Sequence, residues 1–278
     1  MSQLVSTQWL NDHLQASNLI LLDASMTTVV GKEPITYDQP CCIPGAMKFD
    51  LERDFFDHQS SQLHAMPTAE QFDKGAQRLG IKRNREIVIY DDQGIYSAPR
   101  AWYTLRCMGF TNVKVLNGGL PQWLEENRTV YSEYALAPNS CSDNAAPDNS
   151  LIHTSEQLLS NLESPGFKVV DARSAARFYG EAPEPRAGVR SGHIPQSINL
   201  PFAQVLDGHR LRSPQALKQT LESLGVTTEQ PLVFSCGSGI TACILLLAAS
   251  EAGYQSLSLY DGSWADWGSN AQLPIESN

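Results

Sequence analysis

Residues 231–242 read Pro-Leu-Val-Phe-Ser-Cys-Gly-Ser-Gly-Ile-Thr-Ala. A short apolar run ends at Cys236, two glycines follow within three residues, and a new apolar stretch opens near Thr241. That order predicts a buried strand, a tight turn and a helix, the repeating unit of a parallel sheet covered by helices. Ligands gather at the carboxyl ends of strands in such sheets, and Cys236 is placed at one. Gly237 and Gly239 permit positive φ, so successive N–H groups can turn inward. The helix that follows adds its positive N-terminal end. Both effects favour a thiolate, the attacking form of cysteine. The plainer reading of a free cysteine is a buried structural thiol.

Working outward, the segment has a counterpart earlier in the chain. Glu86–Asp91 (EIVIYD) parallels Pro231–Cys236 (PLVFSC), and NLILLDA at 18–24 parallels GFKVVDA at 166–172. CIPGA at 42–46 parallels HIPQS at 193–197, and VLNGGLPQW at 115–123 parallels LYDGSWADW at 259–267. The separations are 148 residues from Asp23 to Asp171, 151 from Ile43 to Ile194, 145 from Asp91 to Cys236 and 144 from Trp123 to Trp267. Four blocks in one order, drifting by a few residues, indicate a duplicated domain with loop insertions. Asp91 holds the cysteine's place in the first copy, which is therefore read as inert. The predicted domains are 1–131 and 151–278. Between them, the polar, Pro-containing segment 132–150 reads as a linker. In the second copy the pattern predicts strands over 168–171, 231–235 and 256–260, helices over 155–161, 214–224 and 241–252, and a Pro/Gly/Arg-rich loop over 180–192.

A chain of 278 residues accommodates two such domains. A net charge of -10 opposes a nucleic-acid or anionic-membrane surface. The opening MSQLVSTQWLNDHLQ lacks the pattern of a secretory signal, and no stretch has the apolar length of a membrane span. The six cysteines form no C-x-x-C and no disulfide framework, and no histidines are paired at metal-ligand spacing. Free thiols and a cytoplasmic location are expected, with no metal and no organic cofactor.

The two-copy layout, Asp171-Ala-Arg173, Gly192-His-Ile-Pro195 and the strand-Cys236-loop-helix together resemble the rhodanese family over nearly the whole chain. The resemblance implies an α/β protein of two tandem rhodanese-like domains, each a mostly parallel sheet with helices on both faces. The loop Cys236-Gly-Ser-Gly-Ile-Thr241 is similar to the Cys-Gly-Ser/Thr-Gly-Val-Thr loop of members that use 3-mercaptopyruvate. Members that use thiosulfate carry Cys-Arg-Lys-Gly-Val-Thr. Here Gly237 and Ser238 replace that basic pair.

By that resemblance Cys236 carries sulfur as a persulfide, and Gly237, Gly239, Ile240 and Thr241 shape the substrate cradle. Arg177 and Arg186 grip the donor's carboxylate and ketone, a task suited to planar guanidinium groups. Arg190 is a further cation for the mouth, and Trp264 a wall of the cleft. Ser238 and His64 form a proton-handling pair, with Glu52 as the acid behind them. Arg173 makes a structural ion pair with Asp171, and Cys243 belongs to the core. The acceptor would be a thiol, such as a thioredoxin cysteine, or cyanide in vitro. Solvated loop arginines paired with Glu181 and Glu184 are the plainer reading of Arg177 and Arg186. Three alternatives follow: a thiosulfate sulfurtransferase, a non-catalytic binding module and a Cys-dependent phosphatase. The last needs an arginine six residues after the cysteine, where this chain has Ala242.

Overall fold

The computed structural model describes residues 2–137 and 142–277. Cys141 and part of the expected linker lie outside the described residues. The strands in chain order are β1 Leu4–Val5, β2 Leu19–Asp23, β3 Met47–Lys48, β4 Glu86–Tyr90, β5 Val113–Leu116, β6 Ile152–His153, β7 Lys168–Asp171, β8 Ile198–Asn199, β9 Leu206–Asp207, β10 Arg210–Leu211, β11 Leu232–Ser235 and β12 Leu257–Tyr260. Two five-stranded sheets result, ordered β1-β5-β4-β2-β3 and β6-β12-β11-β7-β8. Every pairing within them is parallel. The second order is the first with each strand replaced by its repeat partner, so the duplication seen in sequence holds at the level of topology. β9 and β10 form a separate antiparallel hairpin.

Two compact units divide the chain. The first comprises Met1–Asp57, Met66–Asp148 and Leu206–Leu211; the second comprises His58–Ala65, Asn149–Val205 and Arg212–Asn278. Two short segments are thus grouped with the copy that does not encode them. Nothing in the apolar periodicity announces this, because both segments lie between the repeated blocks. The described ends of 132–150 are held by main-chain bonds of the first unit. Ala135 N–H donates to Ala46 C=O (2.8 Å), Ala146 to Met108 (3.0 Å) and Asp148 to Cys107 (2.8 Å).

Each sheet is buried because its strands are apolar along both faces. All four residues of β11 are buried, as are the last four of β2 and of β4. In the second unit Leu158, Val169, Ile194, Val233, Tyr260, Trp264, Trp267 and Leu273 form one core cluster. The helix Ala242–Glu251 buries Ala242 through Ala249 without interruption. It is apolar all round because it packs on β11, β12, the helix Pro214–Ser223 and the turn Phe202–Val205. Its partner Pro214–Ser223 is capped by Ser213, whose hydroxyl accepts from Ala216 N–H, with Pro214 at the first helical position.

Strand register positions the chemistry. Ser235 of β11 is paired with Asp171 at the end of β7. Cys236 and the Asp171-Ala-Arg173 turn therefore leave the sheet side by side, at the carboxyl edge.

Candidate functional site

The loop after β11 is fixed at four points. Trp264 N–H donates to Cys236 C=O (2.9 Å) and Ala265 N–H to Gly237 C=O (2.9 Å). Cys236 N–H donates to Ser263 Oγ (3.2 Å), and that hydroxyl donates to Tyr260 C=O (3.0 Å). Cys243 Sγ–H donates to Gly239 C=O (3.2 Å) from the buried helix face, in keeping with a core role. Held this way, Gly239 turns to φ +82° and its N–H points at Cys236 Sγ, 3.1 Å away. This amide is a hydrogen-bond donor that the loop presents to the sulfur.

Gly237 corrects the sequence reading, since its φ is not positive. Its requirement is room: a Cβ there would lie 3.2 Å from Arg177 Nη2. The Arg177 guanidinium therefore lies directly over the cysteine loop. Thr241 caps the helix Ala242–Glu251 without a side-chain bond, and Ile240 is buried. Cys236 itself is 2% exposed.

Four charged side chains beside the loop form one network. Arg173 Nε donates to both Asp171 oxygens (3.1 and 3.0 Å) and its Nη2 to Asp171 Oδ2 (2.7 Å). Arg173 Nη1 donates to Glu184 Oε1 (2.8 Å). Arg177 Nε donates to the same Oε1 (3.1 Å), while its Nη2 donates to Oε2. Glu184 thus bridges the two arginines. The sequence offered it only as a surface partner; its side chain is 4% exposed. Arg186 is half-buried and has its cation disfavoured by burial and by neighbouring Arg177, while Cys236 and Glu184 act the other way.

His64 Nδ1 lies 3.0 Å from Ser238 Oγ, so the serine and histidine paired on sequence are brought together within the second unit. His64 sits in a turn with a left-handed backbone (φ +55°). Glu52 accepts from Thr27 N–H (2.9 Å) in the first unit.

Two expectations fail. Arg190 is not a cation at the mouth: its guanidinium donates to the carbonyls of Trp267 (3.2 Å), Gly268 (3.0 Å), Asn270 (2.6 Å) and Leu273 (3.0 Å), tying down the carboxyl-terminal segment. Trp264 is not a cleft wall either. It is fully buried, donates from Nε1 to Arg190 C=O (2.8 Å) and stacks under Arg173, whose Cζ is 4.4 Å from a ring centroid. Ser263, unmarked in the sequence reading, is the residue that holds the cysteine's own amide. Its signal was available: it stands where the first copy has Gly119, and both are left-handed, each with φ +52°.

The first unit shows what the same loop does without a thiol. Asp91 Oδ1 accepts from Gln93 N–H (2.9 Å), and Oδ2 accepts from Tyr96 and Ala98 N–H (both 2.8 Å). Its own carboxylate fills the cradle, and burial pushes that carboxyl up despite the three donors.

The Rhodanese-like domain family model matches residues 6–126 and 154–270. The 3-mercaptopyruvate sulfurtransferase of Mus musculus is 41% identical over 277 residues, covering 97% of this chain and 93% of the relative. The thiosulfate sulfurtransferase of Rattus norvegicus is 38% identical over 273 residues, covering 95% and 91%. Among solved structures, SseA from Escherichia coli, described with the rhodanese fold of 3-mercaptopyruvate sulfotransferases, superposes with a TM-score of 0.83 at 31% identity. The match spans 95% of this chain and 99% of that one. With two matched domains, one sheet order used twice and a cysteine at the strand edge of the second, the chain belongs to the rhodanese family.

Proposed function

We propose that the protein is a 3-mercaptopyruvate sulfurtransferase that carries sulfur on Cys236. The observation that carries this reading is the Gly239 N–H directed at Cys236 Sγ from a loop lined by glycine and serine. In the first half-reaction the thiolate attacks the donor's sulfur and an S–S bond forms. The C–S bond breaks, its electron pair passes to carbon, and pyruvate departs as its enolate. Arg177 and Arg186 hold the carboxylate and the oxygen on which enolate charge grows. Ser238, backed by His64, supplies the proton that converts enolate to pyruvate. Gly237, Gly239, Ile240 and Thr241 line the cradle for the outer sulfur.

In the second half-reaction a thiol removes that sulfur, and Cys236 returns to thiolate. A protein dithiol of the thioredoxin type suits this step, and a cytoplasmic pool of reduced thiols would supply it. Cys236 is 2% exposed, so bulk water has little access to its own sulfur. Among the described residues no helix is long and apolar enough to cross a membrane.

Mass spectrometry of the intact chain after mercaptopyruvate treatment tests the reading. The expected result is a gain of one sulfur atom, lost on adding dithiothreitol and absent in Cys236→Ser. Pyruvate release by Cys236→Ser at the native rate would refute the assignment. Because a thiosulfate sulfurtransferase is nearly as similar, kcat/KM for both donors decides between them; a higher value for thiosulfate would replace the donor named here.

A further inference from the structure

We propose that Glu184 sets the charge of the donor the site accepts, acting through Arg177 as a positioning and specificity residue; this rests on the sulfur-transfer reading. The buried charges can be followed one by one. Asp171 is matched by Arg173 through three hydrogen bonds. Glu184 spends Oε1 on both Arg173 and Arg177, and Oε2 on Arg177. With the side chains of Asp171, Arg173 and Glu184 only 2%, 1% and 4% exposed, little water screens them. Two acids thus stand against Arg173 and Arg177, and among the described residues no carboxylate is hydrogen-bonded to Arg186, whose charge is favoured by Cys236 and Glu184 acting through space. Burial and Arg177 both disfavour its charge, which an anionic ligand would relieve.

Geometry adds to the charge. Glu184 occupies Arg177 Nε and one hydrogen of Nη2. The remaining edge of the guanidinium is turned over the Cys236 loop, with Nη2 and Nη1 3.2 and 4.0 Å from the Cβ position of Gly237. Arg177 is thereby oriented as a hydrogen-bond fork, while its field is largely cancelled by the acid behind it. A monoanionic 2-oxo acid needs such a fork and one net positive charge. A dianion such as thiosulfate needs a second cation, and the charge of Arg177 is the one that Glu184 offsets.

The test is Glu184→Gln, which keeps a side chain of the same shape and removes the charge. Alkylation of Cys236 by iodoacetate (anionic) and iodoacetamide (neutral) reads the field without any sulfur donor. The iodoacetate-to-iodoacetamide rate ratio is expected to rise about tenfold at low salt and to fall back at high salt. The thiosulfate-to-mercaptopyruvate ratio of kcat/KM should rise comparably, through KM. An unchanged alkylation ratio in a folded variant overturns the proposal. A risen ratio with neither donor used would leave Glu184 its role and remove the donor assignment instead. If the variant does not fold, protection of the native enzyme against iodoacetamide decides. Pyruvate should protect at lower concentration than sulfate, and the reverse order overturns the proposal.

Discussion

At the residue scale, the two copies differ in what fills a cradle of main-chain amides. In the second copy one N–H points at the Cys236 sulfur, whereas Asp91 saturates three donors with its own oxygens. Ser238→Ala and His64→Ala should each lower kcat by about 10²-fold, with KM for mercaptopyruvate little changed; steady-state pyruvate release measures this. A double variant no worse than either single one would show the two acting as a unit. The first unit also carries a titrating carboxyl. Burial, and then neighbouring Asp91, push Asp92 up to about 6. An unfolded aspartate titrates near 3.9, so the folded state holds the proton more tightly. This stabilisation is complete below about pH 4 and is lost as pH rises through about 6. Asp92→Asn should therefore raise stability at pH 8 by about 1–2 kcal/mol, discounted for partial exposure, and flatten the dependence between pH 4 and 7. Urea titrations at several pH values check it.

At the element scale, the turn that follows β5 and β12 governs the loop beside it. Gly119 and Ser263 share φ +52°, and the first residue beyond each donates to the loop residue at the cysteine position, Leu120 to Asp91 C=O (3.0 Å) and Trp264 to Cys236 C=O (2.9 Å). A Cβ on Gly119 would lie 2.4 Å from Asp91 O and 2.6 Å from Gly94 O. Gly119→Ala should therefore cost about 3 kcal/mol or more, from left-handed strain and backbone clash together. In the second unit the serine tolerates the same φ while its hydroxyl holds Cys236 N–H. The helix Ala242–Glu251 behind the loop depends on packing, since Leu247 is fully buried. Leu247→Ala should cost about 2–5 kcal/mol, seen as an earlier denaturation midpoint.

At the scale of the whole molecule, one fold is used twice, with a thiol at the strand edge of the second copy and a carboxylate at that of the first. Titration with mercaptopyruvate should load one sulfur per chain, and peptide mapping should find it on Cys236, with Cys41, Cys42 and Cys107 unmodified. The Ser238–His64 pairing came only from the resemblance to the rhodanese family, whereas the sequence alone carried the duplication, the parallel α/β architecture and the nucleophile loop. Those follow from apolar periodicity and from motifs a few residues long. It misjudged Arg190 and Trp264, and it undervalued Glu184 and Ser263. Arg177, in the short helix Ala175–Phe178, and Arg190, in the loop that follows, are solvent-suited cations of neighbouring sequence, and local sequence treats them alike. What separates them is which carbonyl or carboxylate the folded chain brings within hydrogen-bond distance, four backbone oxygens in one case and a buried acid beside a cysteine in the other. Hydrogen-bond partners at large sequence separation are set by tertiary packing, and so are the grouping of 58–65 with the second unit and the burial of Trp264.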